Sequence, residues 1–301
     1  MASFRNFTQA PIGFVSQLRH GIWRALRAWR AMRIQAPSRA DVSGRRRRST
    51  PAYQRGHTGR LRSFAFQGAN LLLVALVACT GCGIRRDPLP GFPKLVLWAW
   101  ERPESMPFLN PDVAGVAFLA RTISWRNGMV DSRPRLQPLR VPPRTALMAV
   151  VRLESQGGPP PDATAIAREA ARAALDVRAL QIDFDARRSE RAWYREFLER
   201  LRAGLPADLP LEITALTSWC QGDRWTAGLP VADAVPMLFR MGPGEGYAGG
   251  DFRNRMCRGS VGVSTDELPR AIPRGRRLFV FHPRPWTEDA YRGAVRWTRK
   301  W

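Results

Sequence analysis

Lysine is nearly missing from this 301-residue chain: of its 48 basic residues only Lys94 and Lys300 are Lys. The arginine excess is a compositional bias spread along the sequence, not a basic motif. Residues 1–78 carry 14 Arg against one acid, Asp41, whereas residues 79–301 carry 34 basic and 24 acidic residues. A net charge of +23 ordinarily suggests nucleic acid or an anionic surface. With no basic recognition motif in the acid-balanced part, no nucleic-acid partner is expected. Histidine is scarce as well, and His282 alone lies beyond the N-terminal region. That excludes a multi-His zinc site, and a Ser-His-Asp arrangement would have to use His282. No metal or cofactor is expected, and carboxylates are the available acid–base groups.

Long apolar runs are absent except for Asn70–Cys79, which follows Arg60 and Arg62. A basic flank, a short apolar core and small residues at its end describe an export signal. The core is short of the roughly 20 residues that cross a bilayer. A single membrane-spanning helix running on through Thr80 and Gly81 is the alternative. Leu76-Val-Ala-Cys79 resembles the bacterial lipobox, so Cys79 is the expected lipid-bearing residue, ahead of Cys82. The expected organisation is therefore a basic extension over 1–60, a signal/lipoprotein segment over 61–82 and one domain over 83–301. The extension is disordered or lies upstream of the true start, although Phe14–Ile34 has the spacing of a basic amphipathic helix. This places the domain in the bacterial cell envelope, periplasm-facing and membrane-attached. In such a compartment Cys220 and Cys257 are free to form a disulfide, two buried thiols being the alternative.

Beyond Lys94, short apolar runs bounded by turn residues predict eight strands: Leu95–Trp100, Val113–Leu119, Ala146–Arg152, Leu180–Asp185, Leu211–Leu216, Ala234–Phe239, Ser260–Ser264 and Leu278–Phe281. Helices are predicted at Ala163–Arg178, Ser189–Arg202 and Glu288–Lys300, with a hairpin at Trp125-Arg-Asn-Gly-Met129. Eight strands with helices or long connections between them argue for an α/β fold, an irregular (β/α)8 TIM-type barrel. Pro-rich connections at Pro103–Pro111 and Asp266–Pro273 leave little room for full helices. A doubly wound open sheet is the alternative.

The strand Leu180-Gln-Ile-Asp-Phe-Asp185 is the most informative. Its period of two puts Gln181, Asp183 and Asp185 on one face, with Leu180, Ile182 and Phe184 on the other. Carboxylates within a strand are costly unless paired or used. About 6.6 Å apart, two ionised carboxylates repel by about 2.5 kcal/mol at an effective dielectric near 20, enough to raise one proton affinity. Working residues of a barrel lie at the C-terminal strand ends. There Asp185, Asp183, Glu101 and Glu154 are the candidate catalytic carboxyls. Trp98, Trp100, Arg152, Arg187, Trp219, Arg240, Asp266 and Glu267 are the candidate substrate-binding groups. Tryptophan faces stack on sugar rings while carboxylates and guanidinium groups pair with hydroxyls, so the expected ligand is a carbohydrate. The structural alternative is that Asp183 and Asp185 only salt-bridge to barrel arginines.

Several segments together resemble an uncharacterised bacterial family, domain-of-unknown-function family 3142, grouped with TIM-barrel glycoside hydrolases. They are Leu97–Pro103, Val150–Glu154, Gln181–Arg187, Ser189–Arg191, Ile213–Cys220, Val235–Met241 and Ser264–Glu267, spread from about Leu95 to Trp286. The resemblance implies a barrel with a sugar-site ancestry and brings no established activity. Asp183-Phe-Asp185 also looks similar to the chitinase-type Asp-x-Asp-x-Glu pattern, but Arg187 stands where the proton-donating Glu would be. The expectation is a lipid-anchored, glycoside hydrolase-like protein if active, or else a non-catalytic glycan-binding or structural envelope lipoprotein. Nothing in the sequence sets its oligomeric state.

Overall fold

A computed structural model of the chain describes residues 87–241, 247 and 249–300. The expected extension, the signal segment and the lipid-bearing Cys79 lie outside the described residues.

Eight parallel strands form a closed barrel: β1 Leu95–Ala99, β2 Ala114–Arg126, β3 Leu147–Ser155, β4 Ala179–Asp183, β5 Leu211–Leu216, β6 Asp233–Met237, β7 Ser260–Ser264 and β8 Arg277–Phe281. Each strand pairs with the next, and β1 pairs with both β2 and β8, Leu95 lying opposite Ala114 on one side and Leu278 on the other. That double pairing closes the sheet and rules out the open-sheet alternative. The strands are almost continuously apolar because both faces are covered, as parallel sheets require.

The alternate side chains divide cleanly. Leu180, Ile182, Ile213, Ala215, Ala234, Val261 and Val263 face outward into a core shared with the helices. Val96, Trp98, Ala117, Met148, Val150, Val235 and Phe279 fill the barrel itself. In β2 the alternation breaks. Its register against β3 shifts between Leu119 and Arg121, so the extra residue there sends Thr122 inward, opposite Arg152, and Ile123 outward. A bulge re-aims side chains in this way, and here it brings a hydroxyl to the mouth. Beyond it, β2 continues into the hairpin with Met129–Pro134 expected from Asn-Gly. Asn127 and Gly128 have φ of 50° and 81°, the left-handed pair such a two-residue turn requires.

The helices are α1 Ala163–Ala171, α2 Arg191–Gly204, α3 Thr217–Gln221 and α4 Glu288–Lys300. Asp162 caps α1 by accepting from the Ala165 N–H at 2.7 Å. The predicted run to Arg178 is shortened: a 3-10 turn at Arg172–Ala174 ends it, and Asp176 turns the chain with φ of 56° into β4. The second helix starts two residues later than read. Its entry is held by the Glu190 carboxylate accepting from the Arg187 N–H. Cys220 of α3 and Cys257 are joined by a disulfide, Cα–Cα 5.7 Å. At the N-terminal end, Arg277 reaches across the barrel floor to the Asp87 carboxylate and to the carbonyls of Leu89, Phe92 and Pro93. This ties the incoming chain beneath the barrel.

Candidate functional site

The C-terminal mouth collects charge on an arc of adjacent strands. Thr122, Arg152 and Asp183 are successive register partners on β2, β3 and β4. Arg152 donates through Nε to Glu154 at 2.7 Å and through Nη1 to Asp183 at 3.2 Å. Its guanidinium also lies over the Trp100 ring, 5.4 Å from the centroid. Burial works against its charge, but Asp183 and then Glu154 outweigh that and hold the proton more firmly than usual. The other Asp183 oxygen accepts from the Thr214 hydroxyl at 2.8 Å. Asp183 is thus fixed from both sides on the inner wall, as the alternation predicts.

Asp185 differs. It lies just past the end of β4, and among the described residues no hydrogen bond or ion pair holds its carboxyl. Its surface is exposed to solvent, yet protein crowds around it. That burial, reinforced by the Asp183 charge and opposed by Arg152, raises its pKa to about 6. Glu101 is exposed after β1, and its one hydrogen bond among the described residues is a long 3.5 Å contact with the Thr122 hydroxyl.

Two arginines brace this mouth. Arg135 donates to the carbonyls of Trp100 and Arg102, fixing the turn that carries Glu101. Arg102 donates to Glu104 and to the carbonyls of His282 and Arg284, joining that turn to the end of β8. Around the same end, Arg240 pairs with Asp266 at 2.6 Å and Glu267 at 3.2 Å. These three form an exposed, ion-paired rim cluster, to which the Ser264 hydroxyl adds a hydrogen bond to Asp266. His282 contacts the Thr265 hydroxyl at 2.6 Å, and burial, then Arg284 and Arg102, lower its pKa against the pull of Asp266.

The structure therefore brings Trp100, Glu101, Arg152, Glu154, Asp183 and Asp185 together. Arg187 stays exposed beyond Asp185. Two expected substrate-binding tryptophans are corrected. Trp98 is buried in the middle of the barrel, packed on Phe279 and bonded through Nε1 to Gln181 at 3.0 Å. Trp219 is buried outside the barrel on α3, edge-on to Trp225. Neither has a face to offer a ligand. Sequence reasoning missed Thr122 and Thr214, the hydroxyls flanking the ion pairs, and the bracing Arg102 and Arg135. Thr214 was within reach, since it follows Glu212 by one alternation. Two surface hollows, one beside Pro88 and Pro210 and one beside Ser218 and Asp251, are lined by none of the mouth carboxyls. Among the described residues no three His, Cys, Asp or Glu side chains are grouped to hold a metal.

The fold and this mouth define an α/β barrel with an ion-paired carboxylate wall and two accessible acids beside it, Asp185 and Glu101. Residues 143–239, from just before β3 to just after β6, match the family described as "Domain of unknown function (DUF3142)". The match contains Arg152, Glu154, Asp183 and Asp185, and it agrees with the resemblance read from the sequence. The Bacillus cereus spore cortex-lytic enzyme SleL, a solved structure, is similar at 17% identity with a TM-score of 0.31, over 49% of this chain and 42% of that one. This chain thus spans less than half of that enzyme's length. No curated protein matches.

Proposed function

We propose that the barrel mouth is a glycan site with glycoside hydrolase-like chemistry, in which Asp185 supplies the proton. The observation that carries this is the contrast between the residue that ends β4 and the one just beyond it: Asp183 is pinned by Arg152 and Thr214, whereas Asp185 is accessible and, among the described residues, unbonded. An acid with a pKa of about 6 retains protons at mildly acid pH and can deliver one to a leaving glycosidic oxygen. Asp183 keeps that proton affinity high through its charge. Such hydrolysis needs a second carboxyl across the scissile bond. Glu101 fits that role better than Glu154, whose oxygen is committed to Arg152. Trp100, held on its inner side by Arg152, is the remaining aromatic platform at this end.

A second reading, non-catalytic glycan binding, draws on Arg187 at the position where the chitinase-type pattern carries its Glu, and on the ion pairs that engage Asp183 and Glu154. The attachment proposed for the full chain is lipid on Cys79, placing the barrel on the periplasmic side of a bacterial membrane. Labelled palmitate incorporated by the wild type and lost in Cys79→Ala is the expected result. The decisive experiment on the mouth is turnover of a panel of envelope and exopolysaccharide fragments by wild type, Asp185→Asn and Glu101→Gln. Hydrolysis abolished in both variants supports the catalytic reading. Turnover unchanged in Asp185→Asn removes it from the mechanism, and saturable binding without turnover by wild type selects the binder.

A further inference from the structure

A second pair of carboxyls lies inside the barrel, below the mouth and separate from it. Glu212 on β5 and Asp233 on β6 are register partners on adjacent strands. Their neighbours Leu211, Ile213 and Ala234 face the outer core, so both acids point inward. Glu212 is 0% exposed and Asp233 2%. Glu212 has one long 3.5 Å contact from the Gln181 amide, and Asp233 accepts from the Gly259 N–H at 3.3 Å. Ser260 faces Asp233 from β7 closely enough to favour its charged form, although the Ser260 hydroxyl has no well-formed hydrogen bond among the described residues. The second oxygen of each acid, Glu212 Oε1 and Asp233 Oδ2, has no hydrogen-bond partner among the described residues.

The charges that face this pair are Arg277 on β8 and Asp87 beneath the barrel. Arg277 is already engaged by both oxygens of Asp87 and by three backbone carbonyls. One guanidinium therefore answers three carboxyls, and it is spent on the one outside the pair. Two buried like charges on neighbouring strands cannot both be kept ionised at modest cost.

We infer that Glu212 and Asp233 hold one proton between them at neutral pH, so that the barrel interior is closed by an acid–carboxylate pair that alkali opens. The proton supplies the donor that the two unpartnered oxygens lack. Burial, then the Asp233 charge, pushes Glu212 well above its ordinary 4.5, and burial raises Asp233 to about 6 against its hydrogen bonds and Arg277.

The sign follows from proton counting. The folded state keeps a proton that the unfolded chain has released above 4.5, so stability falls as pH rises until the folded pair lets it go. Above about 6 the Asp233 share is complete, and the Asp185 share with it, leaving the slope to Glu212. His282 acts in the opposite sense, and only below its ordinary 6.5.

Thermal unfolding between about pH 7 and 9 tests this, in wild type and Glu212→Gln. While the folded pair holds its proton, the wild-type unfolding constant should rise about tenfold per pH unit, with Tm falling roughly 3–5 °C. Glu212→Gln should be nearly flat. Equal slopes in the two proteins would overturn the proposal. Should the variant fail to fold, infrared spectra of wild type near pH 8 in H2O and D2O decide. A protonated-carboxyl band supports the shared proton, and carboxylate bands alone refute it. A rise in wild-type Tm when sodium or potassium replaces tetramethylammonium would show a metal cation holding the pair instead.

Discussion

Arg152 and Asp183 sit opposite one another on adjacent strands and are joined by a 3.2 Å ion pair at the barrel mouth. The same guanidinium holds Glu154 and covers one face of Trp100, so one side chain orders most of the candidate site. Replacing it by Met keeps the apolar stem and removes the charge. Arg152→Met should lose about 2–3 kcal/mol of stability in urea unfolding, because Asp183 is left nearly buried with Thr214 as its one remaining side-chain partner among the described residues. It should also raise the Asp185 pKa further, since Arg152 is what opposes that rise. An unchanged titration of Asp185 in this variant would separate the two residues.

Asp185 itself should titrate with a midpoint of about 6 when its side-chain carboxyl is followed by NMR. In Asp183→Asn the midpoint should drop toward the ordinary 3.8, because a neighbouring negative charge is gone while burial is unchanged. A raised folded-state pKa means that the folded protein binds the extra proton. Its contribution to stability is therefore present below 3.8 and is lost as pH rises to about 6. Asp185→Asn should remove that part of the pH dependence, read from unfolding curves across pH 4–6. If hydrolysis is found, its rate should fall as pH rises through the same midpoint, as a proton donor demands.

Gly262 explains why Trp98 lies where it does. A Cβ on Gly262 would come within 2.9 Å of the Trp98 ring. The space left by the missing side chain is the space the indole fills inside the barrel, with Gln181 accepting from its Nε1. Gly262→Ala should cost about 1–3 kcal/mol by overpacking. It should also change the near-ultraviolet circular dichroism of the buried indole. Loss of stability without a spectral change would place the strain elsewhere.

The barrel was legible because parallel strands covered on both faces must be apolar along their whole length, and runs such as Leu95–Ala99 and Ser260–Ser264 have that character. The face carrying Gln181 and Asp183 was legible too, since strand alternation is a property of the backbone. Height within the barrel was not. Trp98 and Trp100 share a face two residues apart, yet one packs in the middle and the other emerges at the top. The bulge in β2 left no sequence mark, so nothing warned that Thr122 and not Arg121 would face Arg152. Trp219 was read as a strand-end residue because the strand Leu211–Leu216 passes directly into α3, whose turn swings the indole to the outside. Glu212 was visible in its strand, whereas Asp233 falls just before the predicted Ala234–Phe239 and heads the strand in the structure; both lie at the opposite end from where barrel chemistry is sought.

The disulfide between Cys220 and Cys257 offers the broadest check on how the β5–β6 and β6–β7 connections are held. It joins α3, which directly follows β5, to a turn that directly precedes β7, closing a sequence separation of 37. Both cysteines are fully buried and pack in the outer core with Trp219 and Phe252. In the chain-entropy account, a loop of this length contributes about 4 kcal/mol by restricting the unfolded state. The double replacement Cys220→Ala/Cys257→Ala keeps the backbone partners, including the Asn254 N–H donated to the Cys220 carbonyl. It should lower Tm by roughly 8–16 °C, on the basis of about 2–4 °C per kcal/mol for a domain of this size. Reduction of the wild type under native conditions should be slow, because no thiolate can approach buried sulfurs without local opening. A Tm unaffected by the replacement would show that packing around Trp219 holds these connections without the bridge.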